Sequence, residues 1–176
     1  MMNIRPAQAN DTDTLMDLYA QGRSALAALG IDQWQGGYPD RATVEADVAR
    51  GETFVIEDDG AIGGVAMIGA GGDADYDRID GAWLTDCDSS NPTYLVVHRI
   101  ATSTARTRRG YASRLISYAE QRARDLGCAS VRIDTHPGNV RMRGLMGKLG
   151  FKECGIIIIS HSSEGTPERI AFEKLV

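Results

Sequence analysis

The clearest pattern of apolar and polar positions lies between Tyr94 and Phe151. It opens with an apolar, β-branched run from Tyr94 to Ile100, which has the length and composition of a buried strand. After an arginine-rich connection, apolar residues recur three and four positions apart and predict one face of a helix that begins at Gly110. Gly127 is the expected end of this helix, because glycine readily takes the left-handed conformation found there.

A second strand and a short helix complete this stretch. Apolar and polar residues alternate over 130–135, which is the period of a strand, and Pro137 and Gly138 then predict a turn. Asn139 is a suitable N-cap for a short helix that ends at Gly150. The succession of strand, helix and strand indicates a parallel strand pair around the longer helix.

The rest of the chain predicts an α/β fold whose first part is mostly antiparallel. Strand patterns cover residues 3–6, 53–57, 62–68, 156–159 and about 169–175, and helix patterns cover about 11–29 and 43–49. A polar loop is predicted at residues 161–168, between the last two strands. Neither an internal repeat nor a linker divides the chain, so we expect residues 1–176 to form a single domain.

Two loop segments carry residues whose role the pattern leaves open. Residues 31–42 are rich in glycine and proline yet hold Trp34 and Tyr38, which either wall a pocket or cover the core. Residues 69–92 contain four aspartates between positions 73 and 80, which bind a cation, attract a basic substrate or simply face solvent. Their spacing does not match an EF-hand loop.

Composition and charge argue against several classes of protein. The 176 residues carry a formal net charge of -5 and a pI near 5.2, which argues against a nucleic-acid surface. No run of 18 apolar residues predicts a transmembrane helix, and the first residues do not read as a signal peptide, so we expect no membrane association. The three cysteines are odd in number and lack the C-x-x-C spacing of a zinc site. We therefore expect reduced thiols, no metal site and a cytoplasmic location.

The start of the long helix carries the clearest candidate chemistry. A helix N-terminus presents unpaired N–H groups and the positive end of the helix dipole, and both favour a phosphate. Gly110 and Ala112 let a bulky anion approach the backbone, and Arg106, Arg108 and Arg109 add positive charge to an acidic chain. The alternative is an ordinary basic surface. No G-x-G-x-x-G follows a strand, so a Rossmann dinucleotide site is not expected.

Two motifs in this stretch resemble those of the GNAT acetyltransferase superfamily, whose members transfer acyl groups from acyl-coenzyme A, usually to amines. The family pattern Gln/Arg-x-x-Gly-x-Gly/Ala corresponds to residues 107–112, TRRGYA. A second family pattern, an Asn that opens a short helix with a Lys-x-Gly-Phe end, corresponds to Asn139 and residues 148–151, KLGF. The resemblance is specific over residues 94–155 and looser over the remainder.

The resemblance implies a GNAT-type α/β fold. In that fold the sheet is mixed and mostly antiparallel, one parallel strand pair splays apart, and helices cover both faces. The pantetheine arm of acetyl-CoA enters the gap, and the connecting helix points its N-terminus at the pyrophosphate. The residues implied in binding acetyl-CoA are Ile100, Ala101, Thr102, Thr107, Arg108, Arg109, Gly110, Tyr111, Ala112, Ser113 and Asn139.

Two positions depart from the family pattern. Thr107 replaces the usual Gln or Arg, and Met146 stands where many members have a tyrosine that protonates the leaving thiolate. A thiol of pKa about 8.5 lies only some 1.5 units above neutrality, or about 2 kcal/mol, so this loss weakens catalysis without excluding it.

The implied reaction is a direct attack of an amine on the thioester in a ternary complex. A lysine-like amine is less than about 0.1 % neutral at pH 7, so a base or an acceptor of lower pKa is needed. The candidate bases are His98, on the strand that lines the site, and Asp134 and His136, which are two residues apart at a strand end and are therefore expected to point the same way. A structural role is the alternative for both histidines. The family places its acceptor wall where Trp34 and Tyr38 occur, which implies that these residues bind substrate.

Two hypotheses follow. The first is an N-acetyltransferase, monomeric or homodimeric, that acts on a primary amine of a small molecule or a protein. The second is a non-catalytic acyl-CoA-binding sensor or interaction module, which the missing tyrosine at position 146 suggests.

Overall fold

The computed structural model describes residues 1–160 and 166–176, so most of the predicted polar loop 161–168 lies outside the described residues. The helices are α1 (Thr12–Ala27), α2 (Arg41–Ala49), α3 (Tyr111–Asp125) and α4 (Val140–Lys148). The strands are β1 (Met2–Pro6), β2 (Thr53–Asp58), β3 (Ala61–Gly69), β4 (Ile79–Gly81), β5 (Tyr94–Thr102), β6 (Ser130–Thr135), β7 (Lys152–Ile158) and β8 (Glu168–Leu175).

The described strands form one sheet in the order β1-β2-β3-β5-β6-β8-β7-β4. Every neighbouring pair is antiparallel except β5 and β6, which are parallel and are connected through α3. The predicted mixed, mostly antiparallel α/β fold with one parallel pair is therefore confirmed.

The parallel pair separates before either strand ends. Its register runs from Tyr94 opposite Ser130 to Val97 opposite Ile133, whereas β5 continues to Thr102 and β6 to Thr135. Beyond Val97, the edge of β5 that faced β6 has lost its parallel partner. This separation opens a cleft in the middle of the sheet.

A bulge in β5 coincides with the cleft. Val65 of β3 pairs with Ala101, but Met67 pairs with His98, so one residue of β3 faces two residues of β5. Arg99, inside the bulge, has a φ of +51°. The bulge changes which side chains of β5 point into the cleft, and the alternation of apolar residues alone could not predict it.

Helices cover both faces of the sheet. On one face, α3 and α4 pack on a core that includes Leu95, Val97 and Ile133. On the other face, α1 and the loop that follows it pack around Val55, Val65 and Ala101. A smaller cluster around Tyr76, Tyr94 and Ile157 occupies the same face as α1, near the β4 edge.

The helix caps follow from the sequence. Gly110 caps α3 in a left-handed conformation, and the Asn139 side chain accepts the N–H of Met142 at 3.2 Å to cap α4. The first helix ends at Ala27, three residues before the expected stop at Gly30, through a turn over residues 28–30. Strand β4 was not predicted, because three residues within an aspartate-rich loop give no measurable alternation.

Candidate active site

A cavity of about 970 Å³ runs along the cleft from the start of α3 to the loop after α1. Every residue predicted to bind acetyl-CoA lines it, and so do Trp34, Tyr38 and His98. His136 is not among the residues that line this cavity in the described part of the chain. The structure therefore places all of the predicted site residues around one cavity, with the exception of His136.

The first turn of α3 forms one end of the cavity. Arg114 is the first residue whose N–H bonds within the helix, to the carbonyl of Gly110 at 3.0 Å, so the N–H groups of residues 111–113 lack intrahelical acceptors. A φ of +75° at Gly110 and of +61° at Arg108 shapes the preceding turn. The turn therefore aims several N–H groups at one region of the cavity, as an anion site requires.

Asp58, at the end of β2, holds this turn in place. Its buried carboxylate accepts the Tyr111 hydroxyl at 2.9 Å and lies 3.6 Å from Nη1 of Arg109, and its carbonyl accepts Arg106 at 2.6 Å. The Tyr111 hydroxyl is thus already hydrogen-bonded within the protein, and the group of Tyr111 that is available to a ligand is its backbone N–H. Arg108 is exposed and has no ion-pair partner among the described residues, so its charge is available to a bound anion.

The other end of the cavity is built around His98. Its Nε2 lies 2.8 Å from Oδ2 of Asp73, and its Nδ1 lies 3.5 Å from Oδ1 of Asp134. The hydroxyl of Tyr76 donates to the same Asp134 oxygen at 2.7 Å, and the Tyr76 ring meets the edge of the His98 ring. Burial raises the pKa of Tyr76 well above its ordinary value, so the phenol remains a donor at neutral pH.

Arg99 forms a second polar group beside His98. Its guanidinium bonds the Tyr38 hydroxyl and pairs with the buried Asp47 carboxylate at 2.7 Å. Neither of these two contacts of Arg99 involves an aspartate of residues 73–80. The left-handed bulge turns Arg99 towards α2, and His98 takes the contact with Asp73 instead.

The sequence left open whether Trp34 and Tyr38 wall a pocket or cover the core, and in the structure they do both. Trp34 is only 8 % exposed and packs edge-on against Tyr19, so it belongs to the core, yet it also lines the cavity. Tyr38 is half-buried and lies beneath the Arg99 guanidinium, 5.8 Å from its carbon. Burial raises the pKa of Tyr38, which keeps its hydroxyl protonated at neutral pH.

His136 and Met146 occupy structural positions. Nδ1 of His136 accepts the N–H of Gly138 at 2.9 Å, and its Nε2 lies 3.3 Å from Asp32, so the ring holds the turn before α4. The expectation that His136 and Asp134 point the same way into the site is not met, because only Asp134 lines the cavity. Met146 is fully buried in the core under α3 and presents no atom to the cavity.

Sequence reasoning missed the two carboxylates that flank His98 as a pair. Asp73 lies 25 positions before His98 in an irregular loop, and its capping of the Ala74–Asp77 turn is the only local signal. Asp134 was considered as a base, but its hydrogen bond to Tyr76 spans 58 positions. Such long-range pairings cannot be inferred from the local pattern.

Other classes of site receive no support from the described residues. No helix among them has both the length and the apolar composition needed to span a membrane. Nor do residues 1–160 and 166–176 contain a cluster of His, Cys, Asp and Glu side chains that could hold a metal ion.

Comparison with known proteins gives consistent matches. Residues 16–151 match the family model described as the acetyltransferase (GNAT) family. A GNAT family acetyltransferase from Streptococcus agalactiae 2603 is 32 % identical with a TM-score of 0.86, over 99 % of this chain and 95 % of that one. The search of curated proteins finds no match.

Two more distant structures share the fold. A structure from Salmonella typhimurium, solved with its cofactor acetyl-CoA, is 18 % identical with a TM-score of 0.65, over 99 % of this chain and 93 % of that one. The ribosomal-protein-S18-alanine N-acetyltransferase from Escherichia coli is 17 % identical with a TM-score of 0.62, over 100 % and 94 % of the two chains.

Proposed function

The chain belongs to the GNAT family of acetyltransferases, and we propose that it transfers an acetyl group from acetyl-CoA to a primary amine of a small molecule or a protein. One observation carries the proposal. A single cavity connects the N–H groups at the start of α3, through the gap between β5 and β6, to a histidine flanked by two carboxylates.

The residues at the α3 end fit coenzyme A, which is polyanionic. Arg106, Arg108, Arg109 and Arg141 line this end of the cavity, although the whole chain has a net charge of -5. Together with the first turn of α3, they provide the fixed dipole and the positive charge that bind a pyrophosphate. We propose that residues 107–113 and Asn139 hold the cofactor there.

Acetyl-CoA supplies the acyl group as a thioester, whose carbon–sulfur bond breaks as the carbon–nitrogen bond to the acceptor forms. The chain contributes three things. The backbone of β5 from Ile100 to Thr102, unpaired on its β6 side, offers N–H groups to the oxyanion. His98 takes the proton of the acceptor amine. Trp34 and Tyr38 wall the acceptor end.

No tyrosine replaces Met146 as an acid. Met146 is buried, the hydroxyl of Tyr111 donates to Asp58, and Tyr38 lies at the acceptor end of the cavity. We propose that the thiolate takes its proton from solvent, which the low basicity of a thiolate permits at a cost of about 2 kcal/mol at neutral pH.

Turnover with a panel of amines tests this function. The purified protein is incubated with acetyl-CoA and small primary amines or peptides, and release of free thiol is followed. We expect thiol release that depends on one class of amine and that falls at least tenfold in His98→Gln. Binding of coenzyme A without turnover of any amine would instead favour the non-catalytic sensor.

A further inference from the structure

The hydrogen bonds of His98 define which of its nitrogens is available. A carboxylate can only accept a hydrogen bond, so Nε2 of the neutral ring must carry the proton that it shares with Asp73 at 2.8 Å. Oδ1 of Asp73 is itself fixed, because it accepts the N–H of Asp75 at 2.9 Å. The lone pair of the neutral imidazole is therefore on Nδ1, and a positioned carboxylate is known to fix a histidine tautomer in this way.

Nδ1 faces a second carboxylate at a longer distance. Oδ1 of Asp134 is 3.5 Å away, which is too long for a strong hydrogen bond, and this oxygen already accepts the Tyr76 hydroxyl. The described residues offer no hydrogen-bond donor to the other oxygen, Oδ2, although the Asp134 side chain is only 7 % exposed. A carboxylate that lines a cavity with one oxygen free of donors can accept hydrogen bonds from a cationic ligand through that oxygen.

His98 and Asp134 also occupy a defined position in the sheet. Val97 and Ile133 form the last pair of the parallel ladder, and His98 and Asp134 are the next residue on each strand. They therefore lie where the two strands begin to separate, on the floor of the cavity. A group bound between them is adjacent to the gap through which the acyl group has to be presented.

We propose that Oδ2 of Asp134 binds the ammonium group of the acceptor, that Nδ1 of His98 removes its proton, and that Asp73 is a positioning residue for His98. This assignment rests on the proposed function and specifies its acceptor as an aliphatic amine that is protonated when it binds. The ammonium gives one proton to Nδ1, and the imidazolium that results lies between two carboxylates. The neutral amine then forms the new bond to the acyl carbon and loses its second proton to solvent.

The first test needs neither acceptor nor cofactor. Nitrogen-15 NMR of the imidazole rings at about pH 8 reports which nitrogen carries the proton. The chain has three histidines, and His98→Gln assigns the His98 signal. We expect the proton on Nε2 in the wild type and a mixture of tautomers in Asp73→Asn, which keeps an oxygen to accept the Asp75 N–H. A proton on Nδ1 in the wild type would overturn the assignment.

The second test separates binding from chemistry with the amine that the wild type acetylates. Asp134→Asn should raise the acceptor KM at least tenfold, whereas Asp73→Asn should lower kcat at least tenfold with KM changed less than threefold. Tyr76→Phe should raise KM in the same direction as Asp134→Asn. Asp77→Asn is the control, because Asp77 belongs to the same loop but bonds Ser89 outside the cavity.

Failure of this assignment is distinct from failure of the function. If the wild type acetylates amines but Asp134→Asn keeps its acceptor KM, or Asp73→Asn keeps its kcat, the assignment is wrong and the function stands. If the wild type binds coenzyme A and acetylates no amine, the function and this assignment are both wrong. Circular dichroism and calorimetric titration with coenzyme A establish that each variant is folded.

Discussion

At the scale of single residues, substitutions at Gly110 can separate the effect of backbone conformation on ligand binding from the effect of charge. Its φ of +75° favours glycine, and a Cβ there would meet no atom within 4 Å, so a side chain is disfavoured by conformation and not by space. Asn and Asp have nearly the same shape and tolerate this conformation better than other residues do. Their difference at position 110 is therefore mainly one of charge.

We predict that Gly110→Asp raises the dissociation constant of coenzyme A at least tenfold relative to Gly110→Asn, or about 1.4 kcal/mol. The added carboxylate would lie beside the N–H groups of residues 111–113 and repel the pyrophosphate. Isothermal titration with coenzyme A measures the difference. Equal affinities in the two folded variants would show that the α3 turn does not bind the phosphates.

The location of His98 on a strand beside the cleft could be predicted from the sequence. It follows from the apolar run between Tyr94 and Ile100 and from the resemblance to the GNAT superfamily. The sequence could not reveal its carboxylate partners, because Asp73 reaches it from an irregular loop and Asp134 from another strand. For the same reason the two histidines could not be ranked, and only the structure shows that the His136 ring accepts the N–H of Gly138 in the predicted turn.

At the scale of secondary-structure elements, a buried ion pair connects β6 to β8 away from the cleft. Arg132 and Glu173 are paired in register, both are fully buried, and Nε lies 3.0 Å from Oε1. The Arg132 guanidinium is stacked 4.2 Å from the Trp83 ring and 4.0 Å from the Tyr94 ring. Burial raises the pKa of Glu173, but the donors Ser130, Thr85 and Arg132 outweigh it and hold the pKa below 4.5.

We predict that Glu173→Gln lowers the free energy of unfolding by about 3–5 kcal/mol, because it leaves the Arg132 charge buried and uncompensated. The matched control is Glu153→Gln on β7, whose pair with Arg143 is exposed and contributes about 0–1 kcal/mol. Urea unfolding followed by circular dichroism measures both. A loss in Glu173→Gln no larger than in the control would contradict the prediction.

The elements themselves were largely predictable, and the exceptions have physical causes. Long periodic segments such as α3 and β5 followed from their apolar spacing, since packing against the core imposes that spacing. By contrast, β4 exists because Ile79 pairs with Ile157, a contact between distant segments. The start of β7 was placed too late, because its first residues are polar and exposed where they follow α4.

At the scale of the whole molecule, charge is distributed unevenly between the ends of the cavity. Arg106, Arg108, Arg109 and Arg141 line the α3 end, whereas the rest of the cavity is lined by both Glu52, Asp73 and Asp134 and Arg50, Arg99 and Arg169. Arg50 and Arg99 are each paired with a carboxylate, so the α3 end is the more positive part of the cavity, which a net charge of -5 does not reveal.

The pH dependence of stability tests the structural role of His136 in the whole fold. Burial, followed by the charge of Arg169, lowers the pKa of His136 below its ordinary value of 6.5. Protonation at Nδ1 would also remove the hydrogen bond from Gly138. As pH falls below 6.5, the unfolded chain takes up this proton before the folded chain does, so the free energy of unfolding decreases. Above 6.5 both states are mostly neutral at this residue, and its contribution no longer changes.

We predict that His136→Asn reduces the loss of stability between pH 7.5 and 5.5. Asparagine does not titrate, and its side chain can accept the N–H two residues ahead, so it can keep the turn at Gly138. Urea unfolding at half-unit pH intervals measures how steeply the free energy of unfolding changes with pH. This dependence should be shallower in the variant, by an amount that corresponds to less than one proton bound on unfolding. Below pH 4.5 both proteins should lose stability together, because Glu173, with its lowered pKa, titrates in each. Parallel curves between pH 7.5 and 5.5 would show that His136 titrates alike in the folded and unfolded chains, and the turn would then not depend on its neutral form.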